Sequence, residues 1–135
     1  MKKLMNGFLI FGFLVTSVSI NAGEFADLKA KIGGARDAAI SMLKDKNKRG
    51  VEQQKSAKEI AESVTISLNK MIPPSGKEAI FNELRETWMA FKKTREEEVI
   101  PLILEGKEDS ARKIAESIQK ERLKKLYDLC DELDK

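Results

Sequence analysis

The chain contains no histidine, which removes the commonest general base and the commonest metal ligand. Its one cysteine, Cys130, excludes an intramolecular disulfide, a thiolate zinc site and a CxxCH haem attachment, so the fold must rest on its core. No glycine loop of the phosphate-cradling kind and no GxSxG is present. A di-metal carboxylate bundle would need Glu-x-x-His on two helices, and those histidines are missing too. Carboxylates abound, but pairs such as Glu96 and Glu98 fall on a charged run that reads as a solvated helix face. The expectation is a protein that is not an enzyme, with no catalytic residue, no metal and no cofactor.

Long hydrophobic runs are also scarce. The one near the start runs from Leu4 to Val15, follows the basic pair Lys2 and Lys3, and leads through Thr16, Ser17 and Ser19 to Ala22. That order reads as a secretory signal peptide over residues 1–22, cleaved after Ala22 or, alternatively, after Ser19. Ile20 at the third position before the Ala22 cut keeps an uncleaved anchor as the competing reading. Nothing later approaches the roughly 20 apolar residues of a membrane span, so the mature chain is expected to have none and to be periplasmic.

Charge of one sign is missing from the remainder. Two of the 25 basic residues, Lys2 and Lys3, lie in the leader while all 22 acidic residues lie beyond it, which leaves a net charge of +1 over 23–135. An evenly mixed surface argues against nucleic acid as a partner, for which a basic stripe is the expected footprint.

What is present is helical periodicity, with no period-two alternation. Phe25, Leu28, Ile32, Ala35, Ala39 and Met42 mark a first helix, over 24–46, that carries Gly33 and Gly34 in its interior. A second, 51–71, is marked by Ala57, Ile60, Ala61, Val64, Leu68 and Met71. "IPPSG" at 72–76 must break the chain, and Ser75 with Glu78 has capping-box spacing, so a third helix is expected over 76–104. "LEGKED" supplies a glycine turn before a fourth, 108–134, marked by Ala111, Ala115, Ile118, Leu126 and Leu129. The fold class expected is therefore all-α: a signal peptide followed by one domain, 23–135, in the form of an antiparallel up-down-up-down four-helix bundle.

Two residues do not fit that pattern. Steps of three and four from Leu84 pass through Trp88 and Phe91 to Arg95, and steps from Ala115 pass through Ile118 to Arg122, so each of the last two helices carries an arginine on its apolar stripe. An unpaired charge in a core is strongly unfavourable, and two readings supply partners. Either Glu98 and Glu121 pair locally with Arg95 and Arg122, or the two guanidinium forks meet a small anion beside Trp88 and Phe91. On the second reading the ligand-binding residues are Arg95, Arg122, Trp88 and Phe91. Pro101, inside the third helix, is expected to bend or end it.

The segment from Trp88 to Leu133 resembles the C-terminal half of the four-helix sensory domain that methyl-accepting chemotaxis receptors place outside the membrane. The matching features are Trp88, the step from Arg95 to Val99 and Ile100, the "EGKEDSA" turn at Glu105 to Ala111, and the tail ending in Leu129 and Leu133. The resemblance implies a periplasmic sensory bundle that binds a small anionic molecule, often an organic acid, or packs against a membrane receptor, with homodimers formed along the first helices. This chain lacks the second transmembrane helix, HAMP segment and signalling rod of such receptors, so it would act as a free-standing copy. Two alternatives remain. A haem-binding or electron-transfer bundle similar to cytochrome b562 shares "EGK" and would draw on Met42, Met71 or Met89. A periplasmic helical chaperone or stress protein would expose an apolar surface.

Overall fold

The computed structural model describes residues 23–135; the leader and its cleavage positions lie outside the described residues. Every regular element among the described residues is helical, and the elements form four helical stretches. The first is α1, Glu24–Lys44, followed by a short 3-10 turn at Lys46–Lys48. The second is α2, Val51–Lys70. The third comprises α3, Glu78–Thr94, a π-helical turn at Arg95–Val99, and α4, Ile100–Leu104. The fourth comprises α5, Glu108–Ala115, and α6, Ile118–Leu133. No helix among them is long and apolar enough to cross a membrane.

The breaks between stretches have local causes. Pro73 and Pro74 cannot extend α2, and Gly76 takes φ +82, a left-handed value that suits a residue without Cβ. The expected capping box at Ser75 does not form: α3 starts at Glu78 behind Lys77, and no side chain caps it. After α4 the chain turns at Gly106, φ +79, where the Lys107 amide donates to the Leu102 carbonyl and the Gly106 amide to that of Ile103. The first of these bonds spans the six residues of a Schellman closure, which is why glycine stands there.

Pro101 neither ends nor sharply breaks the third stretch. Its missing donor is accommodated one turn earlier, where the Ile100 amide reaches back five residues to the Arg95 carbonyl and the chain widens into the π turn. The extra residue in that turn moves the inward register, so Ile103 rather than Leu102 is fully buried.

A break at Ser117 splits the fourth stretch. The Ser117 hydroxyl donates to the Lys113 carbonyl at 2.7 Å, and its backbone leaves helical values, φ −114 and ψ −99. Back-bonding of this kind bends a helix. Across it the inward positions Ala111, Gln119, Leu126, Cys130 and Leu133 keep helical spacing, so the inward step from Ala115 leads to Gln119 and Ile118 is turned outward.

The core falls into two apolar clusters. The larger joins Phe25, Leu28, Val64, Leu84, Trp88 and Leu126 with their neighbours. The smaller joins Met42, Leu43, Ala57, Val99, Ile103 and Ala111. Arg95 is the charged side chain between them, donating to the carbonyls of Ala35 in the first and Ala57 in the second. Lys29 near the start of α1 pairs with Asp131 near the end of α6, and Gln119 at the start of α6 reaches Phe91 late in α3.

The smaller cluster is closed by Arg49, a residue of the polar run after α1. Its guanidinium donates to Met42 and Leu43 at the end of α1, to Ile103 in α4, and to the Glu108 carboxylate at the start of α5. The last carbonyls of a helix have no partners within it, and a cation there also meets the negative end of the helix dipole. The hydrogen bond from Arg49 holds the Glu108 carboxyl below its usual range.

Candidate functional site

The residues expected to hold an anion occupy three different environments. Arg95 is 2% exposed. Its Nε donates to the Ala35 carbonyl at 3.3 Å and its Nη2 to the Ala57 carbonyl at 2.8 Å, so it ties α1 to α2. Nη1 and Glu96 Oε2 face each other at 3.8 Å, and neither has a hydrogen-bond partner among the described residues. Burial pushes the Arg95 pKa down, with Glu96 acting against it. The carboxylate beside Arg95 is thus Glu96, whereas Glu98 points into solvent.

Glu96 belongs to a chain of charges that reaches the surface. Lys92 lies between Glu62, at 3.0 Å, and Glu96, at 3.3 Å. Burial acts to lower the Lys92 pKa, but the two carboxylates outweigh it and raise it.

Arg122 is half-buried on α6, where its Nη1 donates to Thr94 Oγ1 at 2.8 Å and Gln119 Oε1 at 3.0 Å. Its partners are these neutral oxygens, and no ion pair with Glu121 is present. Gln119 passes the connection on, donating from Nε2 to the Phe91 carbonyl at 3.0 Å. Trp88 is fully buried, stacks on Phe91 with ring centroids 5.7 Å apart, and donates from its indole nitrogen to Thr65 on α2. It borders a hollow of only about 20 Å³, too small for an organic ligand.

A cleft of about 590 Å³ lies on the other side, between α1, the π turn and the fourth stretch. Phe91 and Arg95 line it; Trp88 and Arg122 do not. Two sequence stripes supply most of the rest. On α1 they are Arg36, Ala39, Ile40, Leu43 and Lys44, and on the fourth stretch Arg112, Ala115, Glu116, Gln119, Lys120 and Leu123. Both sets follow helical three-and-four spacing, so each is one face of its element. That signal was legible in the sequence, but it lies beside the main apolar stripe rather than on it. Gln119 lies between Arg112 and Leu123 on that face.

The cleft's electrostatics are one-sided. Arg36, Lys44, Arg95, Arg112 and Lys120 face it with Glu116 as the sole carboxylate in its lining. Arg36 is held by Asp37 and Arg112 by Asp109, whereas Lys44 and Lys120 form no ion pair among the described residues. The cationic side chains occur over an apolar floor that includes Ile40, Phe91, Val99 and Leu123.

The methionines weighed as haem ligands are dispersed. Met42 lies in the smaller cluster, Met71 packs against the larger one, and Met89 is exposed. Among the described residues, no group of three or more histidine, cysteine or acidic side chains is placed to hold a metal ion.

No protein-family model matches the chain, and neither a curated protein nor a solved structure matches it.

Proposed function

We propose that residues 23–135 form an exported, non-enzymatic up-down-up-down four-helix bundle of sensory type that binds a small organic anion in the cleft between α1 and the fourth stretch. The pairings of Lys29 with Asp131 and of Gln119 with Phe91 support the antiparallel arrangement, since each joins the start of one helix to the end of another. The observation that carries the ligand reading is the charge of the cleft, in which five cationic side chains face one carboxylate over an apolar floor. Opposite charge and partial burial favour an anion there over a neutral molecule or a cation.

This reading changes the part played by the arginines. Arg122 stands outside the cleft's lining, and Arg95 gives Nε and Nη2 to backbone carbonyls while its Nη1 faces Glu96, so Arg95 contributes field and shape. Direct contact with the ligand falls to Lys44 and Lys120. The resemblance of Trp88 to Leu133 to chemotaxis-receptor sensory domains supports the same class, with the periplasm as its compartment and a membrane receptor as the protein that would read the bound state.

Native mass spectrometry of the protein purified from the periplasm tests the proposal. The expected spectrum has a mature chain beginning near Gly23 and carrying an organic anion, with the adduct lost in Lys44→Glu/Lys120→Glu. A haem mass would replace this reading with electron transfer. A bare chain that acquires no anion from a mixture of organic acids would overturn the ligand claim and leave a protein partner as the function.

A further inference from the structure

The cleft's floor and rim restrict which anion fits. We infer that its ligand is an elongated monoanionic amphiphile, a carboxylate on a medium-length hydrocarbon chain, and not a compact multiply charged acid. This inference rests on the anion-binding reading of the same cleft and adds the ligand's class and orientation.

Three observations lead there. The first is the position of the cleft at the seam of the two core clusters: half-buried Leu123 packs against the larger and half-buried Ile40 against the smaller, and both line it. A hydrocarbon tail laid on that seam would bury apolar surface from both clusters, whereas a citrate-like acid would leave those side chains facing charge.

The second is that the inner cation is already engaged. Arg95 spends Nε and Nη2 on two backbone carbonyls, and its Nη1 faces Glu96. A carboxylate deep in the cleft would find only Nη1 without a hydrogen bond, and there it would meet the like charge of Glu96. The cations without ion-pair partners, Lys44 and Lys120, are exposed at the mouth, so the head group belongs there and the tail points inward.

The third is size. A cleft of about 590 Å³ falls within the roughly 300–1,000 Å³ typical of small-molecule sites, which is ample for a chain of medium length.

Trp88 is the only tryptophan, and it stacks on cleft-lining Phe91, so its fluorescence can report occupancy. The experiment titrates the mature protein with decanoate, decanol and citrate, each amphiphile below the concentration at which it forms micelles. Saturable binding of decanoate is expected, with decanol weaker by roughly tenfold and citrate weaker still. Across a series of carboxylates, affinity should rise by up to about fourfold per methylene and then fall once the tail outgrows the cleft. Lys44→Glu/Lys120→Glu should weaken decanoate by roughly tenfold and leave decanol unchanged.

Citrate binding as tightly as decanoate would overturn the amphiphile while leaving the anion site standing. Decanol equal to decanoate, with no effect of charge reversal, would overturn the anionic head group. If no anion of either kind bound, the proposed function itself would fail.

Discussion

Arg95 sets the character of this interior because it combines near-complete burial with a charge and only partial hydrogen bonding. Its two engaged nitrogens reach carbonyls that already lie within helices, so the bonds add modestly to stability, while the cost of burying the ion is large. This balance predicts an unusual order among variants. Arg95→Ala should cost about 3 kcal/mol through lost packing. Arg95→Met, which keeps the length without the charge, should lie within about 1 kcal/mol of the native protein. Denaturant unfolding of the two variants checks the order, and equal losses would mean that the carbonyl bonds dominate. The anomaly of an arginine on an apolar stripe was legible in the sequence, but its partners were not. The nearby carboxylates at Glu96 and Glu98 differ in which reaches Arg95, and the carbonyls of Ala35 and Ala57 come from elements far along the chain. Cys130 is buried, and burial pushes its thiol pKa up to about 12, which disfavours the reactive thiolate.

At the scale of the element, the two glycines of α1 separate intrinsic helix cost from packing. A Cβ at Gly34 would meet Ile60 Cγ2 at 3.7 Å, an ordinary contact, while one at Gly33 would come within 3.0 Å of the Tyr127 hydroxyl. Gly34→Ala should therefore stabilise the protein by up to about 1 kcal/mol, the full difference in helix propensity. Gly33→Ala should gain about half of that or nothing, because the Tyr127 side chain must move. Thermal unfolding of both variants measures the difference, and a larger gain at Gly33 would show that Tyr127 is not held there. The glycines were visible in the sequence as weak points, yet which one lies under a neighbour depends on the approach of α6. Helix extents were legible for the same reason that helices form: the three-and-four spacing is local. The register shift before Pro101 was not, because it follows from the proline acting a turn upstream.

For the whole molecule, the notable tie is Arg49, which gathers the ends of α1 and α4 and the start of α5. Its pair with Glu108 gives the stability a defined pH dependence. The folded pKa of Glu108 is lowered from 4.5, so the unfolded chain binds the proton more readily, and the pair's contribution is present above pH 4.5 and lost as pH falls through the folded value. Glu108→Gln should therefore be less stable than the native protein at neutral pH, with the gap closing in acid. Denaturation at a series of pH values checks this, and a gap independent of pH would assign Glu108 a role other than the ion pair.

The sequence by itself determined the all-helical class, the approximate helix ends and the presence of charged residues where a core should be. These properties depend on spacing along one chain, on proline and glycine, and on the lack of residues for other chemistries. Only the tertiary structure decided that Arg95 divides the interior, that Trp88 faces away from the large cleft, and that Lys44 and Lys120 stand at its mouth. Those outcomes depend on register between elements far apart in sequence, and one extra residue in a π turn is enough to move a side chain from one face to another.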